Sequence, residues 1–212
     1  AVPSLDALVE AGHRVEVLTN PDAPTGRGGK TAPPPVKVRA VERGLPVHQP
    51  GKLDKEARAL FEGRFDLLVS FAYGRIFGPL FLGLFPRGGL NVHPSLLPRW
   101  RGPSPLTAAI LARDTETGVS IQKLALKMDC GDVLVRTVRS LDGTETTGSL
   151  TLWAAQAAPG LLVSAVSLAG NAHSIKAVAT DGYRRIPTRP ATTATTPGGR
   201  LGSSDRTQPP HP

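Results

Sequence analysis

Residues 66–71, DLLVSF, set the first limit on the fold, because they form an apolar run without alternation and only a strand in length. Such a run must be covered on both faces, as strands are in parallel sheets flanked by helices. Its neighbours supply the helices. Leu5, Leu8 and Val9 fall at helical spacing and Gly12 stands where a helix stops, so residues 3–11 are expected to be helical, ahead of a strand RVEVLT at 14–19. VKVRAVERG, KLDKEARALFEG and the proline-initiated PSPLTAAILAR (103–113) read as helices. PVHQP reads as a short edge strand, and LNVH (90–93), GVSIQKL and DVLVRTV as further strands. This alternation predicts an α/β domain on a mostly parallel sheet with flanking helices. The Ala- and Leu-rich stretch 149–169 is expected to be a closing helix, kinked or split at Pro159 and Gly160.

Two segments resist that pattern. Residues 20–35, NPDAPTGRGGKTAPPP, are dense in Pro and Gly and are expected to form an irregular loop carrying Arg27 and Lys30. From about Gly182 the text turns to Thr, Pro, Arg and Gly without periodicity, which predicts a disordered tail or linker over 181–212 behind a folded domain over 1–180. Charge follows the same division. Of the formal net charge of +8, half comes from five arginines set against Asp205 in residues 182–212, so the folded part is only mildly basic. Cys130 is the single cysteine, which rules out an intrachain disulfide and points to a reducing cytoplasm. The opening AVPSLDALVEAGH lacks the basic end and apolar run of a signal peptide, and the apolar runs at 77–85 and 160–169 are too short or too broken to span a bilayer. A monomer without membrane contact is expected.

Asn91 and His93 carry the chemistry that can be read from spacing. Side chains two apart on a strand point to the same side, and Pro94 ends the strand at once, so an amide and an imidazole stand together at its carboxyl end. Open parallel sheets bind ligands in that position. Acyl or formyl transfer needs donors aimed at an oxygen that becomes negative and a group that moves a proton. A carboxylate to orient the imidazole would complete the set. Asp129 and Asp132, both in KMDCGD, compete for that place, and spacing leaves both open.

The segment LNVHPSLLPRWRGPSPLTAAILARDTETGVSIQKLALKMDCGDVL resembles, almost position for position, the catalytic core of methionyl-tRNA formyltransferases. The pattern N-x-H-P-S-L-L-P is shared with other enzymes that use 10-formyltetrahydrofolate, whereas the continuation RWRG and the upstream PDAPTGRGGK resemble this family in particular. The resemblance implies a Rossmann-like formyltransferase fold, 10-formyltetrahydrofolate as formyl donor, no metal, and initiator methionyl-tRNA as the acceptor in translation initiation. It makes Asn91, His93 and the first Asp of the D-x-G-D loop, Asp129, the catalytic residues. It also implies a pterin slot built from Phe71, Ala72, Tyr73, Gly74 and Ile76 on one side and Leu124, Leu126 and Asp129 on the other. Ser95, Leu96, Leu97 and Pro98 would shape that slot, and Arg27, Lys30, Lys37, Arg99, Trp100 and Arg101 would meet the tRNA.

The resemblance covers residues 1–180 and departs at both ends. Family members begin with an apolar strand and a G-T-P loop ahead of the helix that here starts at Ala1, so the first strand is missing. Its loss is expected to leave neighbouring strands with unpaired backbone groups, a penalty comparable with a domain's total stability of about 5–15 kcal/mol. The small β-barrel that grips tRNA in the family is also missing, and the text from about Gly182 reads as a linker or a shifted frame, so tRNA binding is expected to be weaker. Cys130 stands where Thr or Ser is commoner, with little change in size. Two rival expectations remain: a formyl-folate enzyme for a small amine, against which RWRG and the loop at 21–35 argue, and a folate-binding or unfolded fragment without activity.

Overall fold

A computed structural model describes residues 1–25, 29–169 and 176–181, the last in backbone only apart from Ala177. In chain order the elements are α1 (Val2–Glu10), β1 (Arg14–Thr19), β2 (Ala23–Thr25), β3 (Lys30–Ala32), α2 (Pro35–Glu42), β4 (Val47–His48), α3 (Lys55–Ala59) and β5 (Leu67–Phe71). There follow α4 (Pro79–Leu82), β6 (Gly89–His93), α5 (Pro105–Leu111), β7 (Glu116–Lys123), β8 (Val133–Ser140), α6 (Thr147–Ala169) and β9 (Lys176–Asp181). Seven strands form one sheet in the order β4-β1-β9-β5-β6-β7-β8. Every neighbouring pair from β4 to β6 is parallel, and β7 and β8 extend the sheet antiparallel. The mostly parallel α/β sheet is therefore as expected, with PVHQP at its edge.

Alternation along the strands divides the core in two. Val15 and Val17 of β1, Leu67 and Val69 of β5, Leu90 and Val92 of β6, and Val119 and Ile121 of β7 bury one face under α1, α2 and α6. Leu18 and Leu68 point the other way, into a cluster of Phe61, Phe65, Tyr73, Phe77, Phe81 and Phe85. Asn91 and His93 alternate with Leu90 and Val92, and Ser120 and Gln122 with Val119 and Ile121, so these four polar residues share the face opposite the aliphatic core. The aromatic cluster covers that face at β1 and β5 and leaves it to polar groups at β6 and β7.

Several expectations are corrected. The stretch 20–35 is not wholly irregular, since β2 and β3 pair as an antiparallel ribbon with Pro24 opposite Thr31. Proline is tolerated there because each strand of a two-stranded ribbon has a free edge that needs no N–H. α3 spans only five residues after its cap, where Asp54 Oδ1 accepts from Ala57 N at 3.1 Å, and α4 lies within the apolar stretch 77–85 that carried no helix prediction. Pro159 does not split α6, which runs unbroken for 23 residues. Proline removes one backbone bond, while Ala154, Ala158, Leu162, Ala165 and Val166 hold the turns on either side in the core. By length and composition alone α6 could cross a membrane, with a mean hydropathy of 1.5.

The largest correction concerns the missing strand. β9 lies between β1 and β5, parallel to both, so these two strands are paired on that side rather than left open. Residues 182–212, read as a disordered tail, lie outside the described residues, as does Arg27.

Candidate active site

The polar face of β6 and β7 ends at a carboxylate. Asn91 and Gln122 are directly paired across the antiparallel strands, as are His93 and Ser120, so each pair stands on the same side of the sheet. Asp129 arrives from the loop between β7 and β8 with φ of +49°, a left-handed conformation that Asp adopts more readily than most residues. Gly131 makes this approach possible, because a Cβ there would collide with the Lys123 carbonyl. The turn is closed by Lys123 N donating to the Asp132 carbonyl at 2.9 Å.

Asp129 Oδ1 accepts from Gln122 Nε2 at 2.8 Å and from Asn91 Nδ2 at 3.2 Å, with His93 Nδ1 at 3.6 Å. Its Oδ2 accepts from Gly102 N at 2.8 Å. Amide, imidazole and carboxylate thus meet, and the open choice between two aspartates is resolved geometrically. Asp132 points outward with its side chain 81% exposed and pairs with Lys123 at 3.3 Å. Gln122 was not singled out from the sequence. It is buried, and only the register between β6 and β7 reveals that it faces the same carboxylate.

The RWRG loop closes over the imidazole. His93 Nε2 lies 2.8 Å from the Trp100 carbonyl, and because a carbonyl can only accept, Nε2 carries the proton. Arg101 Nε donates to the Asp129 carbonyl at 2.8 Å. Trp100 itself sits at φ +59°, a conformation that costs a bulky residue about 1–3 kcal/mol and is held by its surroundings. The holding group is Asp114. Arg99 grips it with two bonds of 2.9 and 2.6 Å, Trp100 Nε1 donates to it at 2.6 Å, and the Arg99 guanidinium stacks 4.3 Å from the Trp100 ring centre.

The Arg99 fork, with the Trp100 indole adding to it, holds the Asp114 carboxyl below the usual carboxylate range. The sign of the pH effect follows. A depressed folded pKa stabilises the fold above the unfolded value of about 3.9 and loses that stabilisation as pH falls through the folded value. The Tm gap between the parent chain and Asp114→Asn should therefore stay constant from neutrality to about pH 5 and narrow below about pH 4. Thermal melts across that range provide the check, and a gap that widens in acid would contradict the assignment.

The other site candidates fall in different places. Tyr73 is turned into the aromatic core, stacked on Phe77 at 5.2 Å, and burial pushes its phenol pKa up; its side chain does not line an open slot. Ser95 and Leu97 are also buried, with Ser95 Oγ donating to the Arg99 carbonyl at 2.7 Å. Phe71 packs beside the aliphatic core and Leu124 beside the aromatic one. Ile76 and Leu126, for which core packing was the plain alternative, are 74% and 65% exposed, and Ala72 and Gly74 take positive φ in the loop after β5. Pro98 is exposed, and Leu96 borders a groove of about 300 Å³ with Arg99, Trp100, Asp114 and Thr117. A second, far smaller cavity lies against Ser4, Leu5 and Phe71. Neither contains Asn91, His93 or Asp129; His93 is only 5% exposed and the Asp129 side chain 11%, while Asn91 is partly buried.

Among the cations expected to meet tRNA, Lys30 is exposed on the β2–β3 ribbon. Lys37 is bound to Asp22 at 2.8 Å, and Gln49 and Lys37 together hold that carboxyl low. Arg99 and Arg101 are exposed but committed to Asp114 and to the Asp129 carbonyl.

Comparison with known proteins adds the family context. The model of the formyl transferase family matches residues 3–166. The methionyl-tRNA formyltransferase of Treponema pallidum is 51% identical over 159 residues, which cover 71% of this chain and 50% of that protein. That of Moorella thermoacetica is 40% identical over 191 residues, covering 88% and 58%. The chain spans about half the length of the curated relatives it matches. Among solved structures, phosphoribosylglycinamide formyltransferase of Bacillus halodurans superposes with a TM-score of 0.62 at 26% identity, over 80% of this chain and 93% of that one.

Proposed function

The chain belongs to the formyl transferase family, and from that membership we propose that it moves the formyl group of 10-formyltetrahydrofolate onto the α-amino group of methionine carried by initiator tRNA. The observation that carries this reading is the meeting of the Asn91 amide, the His93 imidazole and the Asp129 carboxylate at the carboxyl end of β6. Relatives named methionyl-tRNA formyltransferase at 51% and 40% identity support the choice of acceptor. Residues 1–180 then make up the catalytic domain, acting as a cytoplasmic monomer.

Each side chain has a task suited to its bonding. Asn91 commits one N–H to Asp129 and keeps the other for the formyl oxygen as that oxygen gains negative charge. His93 can offer its Nε2 proton to the same oxygen only when that oxygen takes the place of the Trp100 carbonyl. Asp129 holds the imidazole and accepts the proton that the amine loses, directly or through water. The folate supplies a formyl group on an amine nitrogen able to leave. The residues present fit such a ligand: Leu126 and Met128, just ahead of Asp129, and Ile76 in the loop after β5 are apolar and exposed, as suits an aromatic ring. Backbone groups of Phe71–Ile76 would read its polar edge, since the Tyr73 ring is engaged in the core. Lys30, exposed on the β2–β3 ribbon, supplies charge towards the acceptor stem, with Arg27 three residues before it in the sequence, and Lys37 and the RWRG residues add to it beside the partners they already hold.

The deciding experiment offers the full chain labelled 10-formyltetrahydrofolate together with either charged initiator tRNA or small amines such as glycinamide ribonucleotide. Label is expected in formyl-methionyl-tRNA alone. Transfer to a small amine alone, or to neither acceptor, overturns the reading.

A further inference from the structure

We propose that Gln122 is a positioning residue for Asp129, its amide N–H holding Oδ1 on the imidazole side of the site. At 2.8 Å its bond is shorter than the 3.2 Å bond from Asn91 to the same oxygen, and Gly102 N serves only the other oxygen. The orientation of the amide is dictated by chemistry. Turned over, its carbonyl would face an ionised carboxylate, acceptor against acceptor.

Position gives this bond its importance. Asp129 lies in a loop whose preceding residues, Leu126 and Met128, stand in solvent, so its own segment offers little packing to fix the carboxylate. Gln122 by contrast sits inside β7, next to the fully buried Ile121 and directly across from Asn91. The amide thus ties a loop carboxylate to the same pair of strands that carries Asn91 and His93, and the three groups share one rigid frame. A second observation agrees. Gln122 Oε1 is buried without a partner, a burden that an apolar residue filling the same space would avoid, so the N–H is the half of the amide that contributes here. The catalytic consequence rests on the formyl-transfer reading, while the positional claim does not.

Gln122→Met keeps the length and removes both polar atoms. In the full chain it should lower kcat for formyl transfer by roughly 10- to 100-fold, the size expected for a hydrogen bond to a charged group, with KM for the folate unchanged. In an Asp129→Asn background the same change should alter kcat by less than about twofold, because a residue that acts through Asp129 has nothing left to act on. A mere space-filler would instead show additive losses.

A readout independent of turnover separates this claim from the function. In NMR spectra of histidine-labelled protein, the His93 ring signals should move in Gln122→Met and in Asp129→Asn, with no further movement in the double variant. If those signals stay in place in Gln122→Met, or the two changes add, the proposal falls whether or not the parent chain transfers formyl groups. If they move as expected and no transfer occurs, only the functional reading fails. Should Gln122→Met not fold, Gln122→Asn, which withdraws the amide by one methylene, is expected to give the same pattern.

Discussion

Asp129→Asn is expected to lower kcat for formyl transfer by roughly two to four orders of magnitude, with little change in folate affinity, because it removes the proton acceptor while keeping the volume. The substitution also exposes how the carboxylate is bonded. Oδ1 receives two side-chain amides and Oδ2 receives the Gly102 N–H, so both oxygens face donors. An amide has one oxygen and one NH2 group, and whichever way it turns, a donor meets a donor. Some stability should be lost with the activity, on the order of 1–3 kcal/mol for the group left unpaired. Asn91→Ala should cost roughly 100- to 1,000-fold in kcat, as removal of an oxyanion donor does elsewhere, and His93→Ala a loss of similar or larger size. Single-turnover transfer from labelled formyl-folate, alongside folate binding by titration, separates chemistry from affinity. Near-normal turnover in any one of these variants would remove that residue from the mechanism.

How far the sequence reached depends on how local each signal was. The strand DLLVSF follows from an unbroken apolar run, and the pairing of Asn91 with His93 on one side of LNVH from a period of two, and both strands lie where expected. The choice between Asp129 and Asp132 could not be made by spacing, because it is settled by a loop that folds back on the Lys123 backbone around Gly131. Gln122 needed the register of two antiparallel strands, information that no short window holds. The resemblance places Tyr73 in a ligand slot, and six aromatics between residues 61 and 85 gather into one cluster that takes its ring, which leaves its backbone for that task. Arg99 and Trp100, which the resemblance sets against tRNA, share a partner, Asp114, that lies beyond α5 and that no short window reveals.

Ending the chain after Ala169 is expected to abolish cooperative unfolding altogether. β9 is the one strand in the centre of the sheet whose sequence carried no strand prediction, and it pairs with β1 at six positions and with β5 at four. Its removal would strip β1 and β5 of a neighbour on the same side, with backbone groups that lie too deep for water to satisfy fully. At about 1 kcal/mol net for each lost bond, and more for each group left buried and unpaired, the deficit matches the whole stability of a domain this size. Strand propensity did not announce this segment, since strand formation depends on the neighbours available, and an unpaired slot between two buried strands is a strong demand for one. A chain ending at residue 181 is the control, because it keeps every described pairing and should melt as the full chain does. Ala177→Glu tests the same point without truncation: residue 177 is fully buried, and a carboxylate there would be left without a partner. Circular dichroism melts of the three proteins give the answer. If the chain ending at Ala169 unfolds as cooperatively as the control, β9 is not what closes the sheet.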